Sequence, residues 1–320
     1  MKLVVITGCL GLIGSYVTRK CLSKGWKVYG VDNLTYAANK SFLELFKRDS
    51  NFTFLEEDIA QLKSLPDCDY VINIAAESHV GNSIIDSSDF IETNVNGVKN
   101  LLDLIRNKPD NTMNRPIFFH FSTDEVYGDI TEGEHVETDP LIPSNPYSAS
   151  KASSDMLILA WARTYGVKYV IVRPTNNYGE GQYPEKLIPL MISNALSDKA
   201  LPVYGDGQNI RDWIYVDDHN NGIWATYLKG NAGEVYNFGG DAEKRNLDVV
   251  KTLLSIVKKP ESLITFVKDR KGHDWRYAMN FEKATKELNW KPEVTFEEGL
   301  QRTVNWYVEN QKWCQEVSST

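Results

Sequence analysis

Tyr147 and Lys151 are the two residues of this sequence whose types and spacing most directly predict chemistry. Residues four positions apart share one face of a helix, so the phenol of Tyr147 and the ammonium of Lys151 can reach the same site. A tyrosine ordinarily has a pKa of about 10, and a lysine cation or a positive nicotinamide ring beside it favours the phenolate. The pair therefore predicts a base that removes an alcohol proton while a hydride leaves for NAD. A surface lysine on an amphipathic helix is the competing interpretation.

Three further candidates, Thr123, Asp124 and Glu125, follow the apolar run 117–121. Doubly wound folds hold their ligands at the carboxyl ends of such strands. The hydroxyl of Thr123 can hold the reacting alcohol beside Tyr147. Two adjacent carboxylates are costly to bury unless one stays protonated. A dehydration needs that division, because one group removes a carbon-bound proton and another protonates the leaving hydroxyl. A solvated acidic turn is the alternative.

A glycine-rich turn stands between the first apolar run and the first helical pattern. Glycines there let the backbone approach a pyrophosphate, and the helix N-terminus offers free amides to the phosphates. Asp32 ends the next strand, near the spacing of about 20 residues expected for the acid that binds the adenosine ribose. An acid would repel a 2′-phosphate, so NAD is favoured over NADP. The candidate cofactor residues of the turn are Gly8, Gly11, Leu12, Ile13 and Gly14.

Smaller signals follow the neighbouring strands. Asn33 comes directly after Asp32, and Asp58 and Ile59 follow a presumed strand between 27–31 and 70–74, where an adenine edge would lie. The pair 75–76 follows the run 70–74, where small side chains let a cofactor lie against the backbone. These two residues are Ala75 and Ala76. A polar turn and tight packing are the alternative interpretations.

Short β-branched runs alternate with amphipathic stretches through the first half, which predicts an α/β fold with a doubly wound parallel (Rossmann) sheet. The predicted strands are 3–6, 27–31, 70–74, 117–121 and 169–172, and the predicted helices are 12–23, 94–107 and 147–165. We expect residues 1–175 to form an NAD-binding domain, completed by segments near 210–240. Residues 176–320 should form a smaller C-terminal α/β domain for the substrate, with looser, shorter elements and a closing helix over 296–308.

The bulk composition narrows the class of partner. A chain of 320 residues favours two packed domains. The net charge of −8 argues against nucleic acid or an anionic membrane as partner. No stretch has the length or character of a signal peptide or a membrane span. The four cysteines are far apart in the sequence, which predicts a reduced, cytoplasmic protein without a structural metal.

Taken together, these motifs resemble the extended branch of the short-chain dehydrogenase/reductase superfamily, and within it the dTDP-glucose 4,6-dehydratase family. The resemblance covers essentially the whole chain. Its most specific element is the triplet Thr123–Glu125, because epimerases and decarboxylases of the branch usually lack the paired acids. The segments that carry the resemblance are 32–37, 75–80, 122–128, 147–151, 176–179, 184–189, 211–219 and 272–278.

The resemblance implies a mechanism. Tyr147, assisted by Thr123 and Lys151, deprotonates the sugar 4-hydroxyl while hydride moves from C4 to NAD. Glu125 then removes the C5 proton and Asp124 protonates the departing C6 hydroxyl, after which the hydride returns to C6. The product is a 4-keto-6-deoxy nucleotide sugar. Members of the branch commonly dimerise through two helices, here 94–107 and 150–165, so a homodimer is expected.

The resemblance also implies a substrate site in which Arg211 forms a two-pronged contact to phosphate. The substrate candidates are Ser78, Asn82, Asn177, Lys186, Leu187, Arg211, Arg270 and Tyr277. Two departures from the family pattern stand out: Cys9-Leu10 in the glycine turn, and Gly81-Asn82 where dTDP-glucose enzymes usually carry Asp-Arg. We expect dTDP-glucose as substrate. GDP-N-acetylglucosamine or a UDP-sugar, a 4-epimerase of the same branch, and a non-catalytic NAD-binding sensor are the alternatives.

Overall fold

The computed structural model describes residues 1–108 and 115–318 of the chain. Its strands, in chain order, are β1 (Leu3–Thr7), β2 (Lys27–Asp32), β3 (Phe52–Glu56), β4 (Tyr70–Asn73), β5 (Ile117–Phe121), β6 (Tyr169–Pro174), β7 (Asn176–Tyr178), β8 (Leu201–Tyr204), β9 (Ile210–Tyr215), β10 (Glu234–Phe238), β11 (Glu243–Arg245) and β12 (Ile264–Val267). Its α-helices are α1 (Leu12–Ser23), α2 (Lys40–Phe46), α3 (Val80–Ile85), α4 (Ser88–Phe90), α5 (Val98–Arg106), α6 (Pro146–Tyr165), α7 (Leu187–Leu196), α8 (Val216–Lys229), α9 (Asn246–Val257), α10 (Phe296–Glu309) and α11 (Gln311–Ser318).

The main sheet has seven strands in the order β10-β6-β5-β4-β1-β2-β3. Every neighbouring pair is parallel, which confirms the predicted doubly wound sheet. Six strands come from the first half of the chain, and β10 joins the edge beside β6. Successive strands are added outward on one side of β1 up to β3 and then on its other side from β4, and the crevice at such a switch point is where doubly wound sheets bind ligands. The Gly8 turn follows β1 and Ala75 follows β4, so both lie at this crevice.

Helix α6 is stabilised at both ends by its own sequence. The side chain of Asn145 accepts a hydrogen bond from the backbone amide of Ser148. The hydroxyl of Ser148 accepts one from the backbone amide of Asn145, which completes a capping box. Pro146 occupies the first turn, where its missing N–H is not needed. Gly166 ends the helix at φ 68°, a conformation that glycine adopts without strain. These signals place Tyr147 in the first turn and Lys151 one turn later.

The predicted helix 94–107 is observed in two parts. A π-helical segment, Ile91–Gly97, continues from α4 into α5. Residue Asn94 of this segment donates to the hydroxyl of Ser150 at 2.8 Å and to the carbonyl oxygen of Glu77 at 2.9 Å. The segment therefore fastens α6 to the loop that follows β4.

The second half is more regular than the prolines and glycines after residue 174 predict. Helices α7, α8, α9 and α10 have 10 to 14 residues each. They pack with a three-stranded sheet, β11-β9-β7, and a two-stranded sheet, β12-β8. The closing helix appears as predicted, although Tyr307 is buried and Val308 is half exposed, because the helical period drifts from exact four-residue spacing.

Within the described ranges, no helix is long and apolar enough to cross a bilayer. The same ranges contain no group of three or more His, Cys, Asp or Glu side chains that could hold a metal ion. All four cysteines are unpaired and buried.

Candidate active site

A cavity of about 330 Å³ opens at the carboxyl ends of the parallel strands. It collects most of the residues that the sequence singled out. Those that line it are Gly8, Gly11, Leu12, Ile13, Asp32, Asn33, Asp58, Ile59, Ala75, Ala76, Ser78, Thr123, Asp124, Glu125, Tyr147, Lys151, Asn177 and Lys186. Candidates from several distant segments therefore share one site, because the strand order brings the strand ends to one edge of the sheet.

Two glycines shape the turn after β1. Gly8 has φ +65°, and a Cβ atom there would lie 2.7 Å from the Cα of Ala75. A Cβ atom on Gly14 would lie 1.9 Å from the carbonyl oxygen of Gly8. Gly14 is outside the cavity lining, and its role is to let α1 approach the turn. Side chains at either position would push the backbone away from the floor of the cavity.

Asp32 lines the cavity and also holds the glycine turn that follows β1. One carboxylate oxygen accepts from the amide of Leu10 and the other from the amide of Leu34, both at 3.0 Å. Burial raises the pKa of Asp32, and these two backbone hydrogen bonds oppose the rise. A carboxylate has about four acceptor positions, so Asp32 keeps capacity for a further hydroxyl while it holds the glycine turn.

The turn has the chemistry of a dinucleotide site. The N-cap of α1 is Gly11, which provides no side-chain acceptor for the helix. The first amides of α1 have no partner within the helix, and Gly11, Leu12 and Ile13 all line the cavity. Amides and the positive end of the helix dipole suit a pyrophosphate. Together with the Asp32 carboxylate, these groups fit NAD.

Tyr147 and Lys151 are both buried and line the cavity. The ammonium of Lys151 donates a hydrogen bond of 2.5 Å to the carbonyl oxygen of Phe121. Burial lowers the pKa of Lys151 to about 8, opposed by the charge of Asp155. Lys151 therefore keeps most of its charge at neutral pH.

The phenol of Tyr147 differs from the sequence expectation. Burial and the charge of Glu125 raise its pKa, and a hydrogen bond with Thr123 lowers it. Desolvation is the largest of these effects, so the protein alone favours the protonated phenol. A further positive charge brought into the cavity would be needed to favour the phenolate.

The two acids occupy different surroundings. Burial and the charge of Glu125 raise the pKa of Asp124 to about 7. Burial also raises the pKa of Glu125, against the opposing charges of Arg270 and Arg211. Asp124 touches the hydroxyls of Thr123 and Thr175, each at 3.0 Å. The two acids therefore differ in the charges and hydroxyls around them, which is the difference that separate acid and base roles require.

Lys186, Ser78 and Asn177 all line the cavity. The ammonium of Lys186 donates to the carbonyl oxygen of Ser78 at 2.8 Å and lies 3.2 Å from its hydroxyl. Asn177 donates to the carbonyl oxygen of Thr175 at 3.0 Å, and its own side-chain oxygen is buried without a partner in the structure. That oxygen is an acceptor available to a ligand.

Arg211 lies behind the cavity wall. Its guanidinium donates to the carbonyl oxygens of Ile210 and Asp274 at 2.6 and 2.8 Å, and stacks over the ring of Tyr277 at 4.2 Å. The phenol oxygen of Tyr277 lies 3.5 Å from a carboxylate oxygen of Glu125. The charge of Arg211 therefore opposes the rise in the pKa of Glu125, and Tyr277 contacts the Glu125 carboxylate.

The remaining substrate candidates lie in different places relative to the cavity. Arg270 is close enough to lower the pKa of Glu125. Leu187 begins α7 and packs against the apolar core of the second half. Asn82 is exposed on α3, where its backbone amide donates to the imidazole of His79 at 3.2 Å. Neither Leu187 nor Asn82 lines the cavity.

Sequence reasoning missed Thr175. It follows β6 directly, lines the cavity and contacts Asp124. The signal that could have identified it is its position after a parallel strand adjacent to β5, where ligand-binding side chains collect.

The chain is similar to known proteins both in sequence and in structure. A family model described as GDP-mannose 4,6 dehydratase matches residues 5–303. A protein of Sinorhizobium fredii named probable dTDP-glucose 4,6-dehydratase is 47% identical, over 98% of this chain and 94% of its own length.

Solved structures give the same fold. DesIV, a dTDP-glucose 4,6-dehydratase of Streptomyces venezuelae determined with NAD bound, matches with a TM-score of 0.93 and 41% identity, over 99% of this chain and 100% of that one. A UDP-glucuronic acid 4-epimerase of Bacillus cereus, in complex with UDP-glucuronic acid and NAD, has a TM-score of 0.89 and 28% identity, over 97% and 99% of the two chains. Dehydratases and epimerases share this fold, and the sequence is nearer to the dehydratases.

Proposed function

The chain belongs to the family that the GDP-mannose 4,6 dehydratase model describes, and we propose that it is an NAD-dependent lyase that converts dTDP-glucose to its 4-keto-6-deoxy product. The observation that carries this proposal is the pair of adjacent acids, Asp124 and Glu125, in one cavity with the phenol of Tyr147. Elimination of water needs a base and an acid beyond the group that deprotonates the 4-hydroxyl. A 4-epimerase forms no leaving hydroxyl and has no use for both acids.

The cofactor is NAD. Gly8, Gly11, Leu12 and Ile13 would hold its pyrophosphate, and Asp32 its adenosine ribose, since these residues line one end of the cavity. The proposed cofactor site is completed by Gly14, Asn33, Asp58, Ile59, Ala75, Ala76, Tyr147 and Lys151. When bound, NAD supplies a reversible acceptor for the hydride of the sugar C4.

The chain's own residues move the protons. Tyr147 would act as the phenolate, which the positive charges of Lys151 and of bound NAD would favour. In that form it takes the proton of the sugar 4-hydroxyl, which Thr123 orients. The C5 proton becomes acidic beside a C4 ketone, and Glu125 removes it. Glu125 gives the proton back to C5 when the hydride is returned to C6, so the product keeps its C5 hydrogen. Asp124 gives its proton to the departing C6 hydroxyl, which leaves as water. The raised pKa of Asp124, about 7, supports its role as the acid.

The nucleotide end of the substrate lies with the second half of the chain. We assign residues 176–320 to nucleotide-sugar binding and residues 1–175, completed by β10, to NAD binding. Asn177 and Lys186 would contact the diphosphate directly, because both line the cavity. Arg211 and Arg270 would add positive charge behind the wall, which suits an anionic substrate in a protein of net charge −8.

Two properties of the whole molecule belong to the same proposal. Ile85 and Met156 are 86% and 50% exposed on α3 and α6, helices that pack against each other, and such apolar side chains support a homodimer. Four unpaired, buried cysteines support a reducing, cytoplasmic location. Light scattering of the purified protein tests the dimer.

The reaction is tested by incubating the purified protein separately with dTDP-glucose, GDP-N-acetylglucosamine and UDP-glucose. No NADH is added to the incubations, and the mass of each recovered nucleotide sugar is measured by mass spectrometry. Loss of one water from dTDP-glucose alone is the expected result. Loss of water from another of the three would correct the substrate. Unchanged mass together with inversion at C4 by NMR would make the protein an epimerase.

A further inference from the structure

The hydroxyl of Thr175 contacts two oxygen atoms, one on the proposed acid Asp124 and one on the backbone of Asp212. It lies 3.0 Å from the Oδ2 atom of Asp124 and 2.9 Å from the backbone carbonyl oxygen of Asp212. Thr175 is 3% exposed, so water does not replace either contact freely. A hydroxyl has one proton to donate and can accept two hydrogen bonds.

The carbonyl oxygen of Asp212 can only accept. Its position is fixed, because β9 is hydrogen-bonded between β7 and β11 and the carboxylate of Asp212 accepts from the amides of Gly240 and Ala242 at 2.7 and 2.8 Å. Because Thr175 has one proton, both contacts can be hydrogen bonds at the same time in only one way. Thr175 donates to the carbonyl oxygen of Asp212, and a protonated Asp124 donates to Thr175.

The two oxygens of Asp124 are consequently unequal. The Oδ1 atom accepts from the hydroxyl of Thr123 at 3.0 Å, whereas Oδ2 lies 3.0 Å from the hydroxyl of Thr175, which can accept from it while donating to Asp212. Resting on the proposed function, we propose that Thr175 is a positioning residue that keeps the acid proton of Asp124 on Oδ2, ready for the leaving C6 hydroxyl. In the elimination the O–H bond at Oδ2 breaks as the C6–O bond breaks, the proton goes to the departing oxygen to form water, and Asp124 becomes a carboxylate.

The direction of this hydrogen bond has a measurable consequence. A hydroxyl that accepts from the neutral acid stabilises the protonated form, whereas one that donates to the carboxylate stabilises the ionised form. Burial and the charge of Glu125 raise the pKa of Asp124 to about 7. The basic limb of the kcat–pH profile therefore reports which direction the Thr175 hydroxyl takes.

Thr175→Val removes the hydroxyl and keeps the branched shape, and Thr175→Ser keeps the hydroxyl. For Thr175→Val with dTDP-glucose, we expect kcat for water loss to fall about 10- to 100-fold with KM little changed. The basic limb should move to lower pH by about half a unit or more. Thr175→Ser should restore both. Reduced nicotinamide should accumulate on Thr175→Val, because oxidation at C4 does not need the acid.

A basic limb that stays in place or moves to higher pH in Thr175→Val would overturn the proposal, as would a kcat equal to that of the wild type. If Thr175→Val loses its native circular dichroism, Thr175→Ala carries the same comparison. Failure of the wild type itself to release water from any nucleotide sugar would instead overturn the proposed function, so the two ideas fail separately.

Discussion

The ammonium of Lys151 donates a hydrogen bond of 2.5 Å to the carbonyl oxygen of Phe121, the last residue of β5. Thr123 and the paired acids follow Phe121 within four residues. Helix α6, which carries the proposed base, is therefore fastened to the strand end that presents the proposed acids. The hydroxyl of Ser122 strengthens this link by donating to the carboxylate of Asp155 in α6 at 3.0 Å.

Lys151→Met should remove both this contact and the cation. We expect kcat to fall at least about 100-fold, with a lower melting temperature because the carbonyl oxygen of Phe121 loses its donor. Lys168→Met, an exposed lysine preceding β6, is the control that should change neither quantity. Wild-type kcat in Lys151→Met would contradict the assigned role.

Tyr147→Phe should stop the reaction before oxidation. The phenol is the group placed to take the 4-hydroxyl proton, so kcat should fall by about 10²–10⁴, and no reduced nicotinamide should form in a single turnover. Tyr165→Phe, at the other end of α6 and 40% exposed, should behave as the wild type. Rapid formation of reduced nicotinamide by Tyr147→Phe would show that another group is the base.

Glu125→Gln should separate oxidation from elimination. Without the base for C5, the variant should oxidise C4 and then stall, so that the absorbance of bound reduced nicotinamide rises while no water is lost from the sugar. Glu132→Gln, an exposed glutamate, is the matched control. Unaltered turnover in Glu125→Gln is the result expected of a 4-epimerase.

Asp124→Asn should gain stability as it loses activity. The folded pKa of Asp124, about 7, is raised by burial, above an unfolded value of about 3.9. Ionisation therefore opposes folding, with an effect that is absent below the unfolded pKa, grows up to the folded pKa and is constant above it. The ceiling is about 4 kcal/mol.

The measurement is thermal unfolding of Asp124→Asn and of the wild type at pH 5 and pH 8. The variant should exceed the wild type by more at pH 8, and should release no water from the sugar at either pH. Asp67→Asn, whose carboxylate is fully exposed, should show no such pH-dependent gain. Equal gains at both pH values would mean that Asp124 is not ionising in this range.

Asp32→Ala should weaken both NAD binding and the glycine turn. The amides of Leu10 and Leu34 lose their acceptor, which should lower the free energy of unfolding by about 1–3 kcal/mol. The NAD released per chain on denaturation should fall as well. Glu56→Ala, at the exposed end of the neighbouring strand β3, should retain its NAD. Full NAD content in Asp32→Ala would remove Asp32 from the proposed cofactor site.

The sequence by itself determined the parallel sheet, the glycine turn and the helix of Tyr147 and Lys151. Each depends on near neighbours: apolar runs form buried strands, Asn145 caps its own helix, and glycine permits the conformation at Gly8. The first half of the fold and the main contents of the cavity could therefore be predicted.

Contacts between distant segments could not be predicted in this way. Thr175 touches Asp124 and Asp212, which are 51 and 37 positions away, and only the order of β5, β6 and β9 brings them together. Arg211 was expected to face phosphate, yet its guanidinium serves backbone carbonyls behind the cavity wall. Burial likewise decided that the phenol of Tyr147 stays protonated in the protein alone. Residue types and spacing determined which groups could react. The tertiary structure decided which atoms meet and how strongly burial shifts their pKa values, because contacts and burial depend on distant segments that the local sequence does not contain.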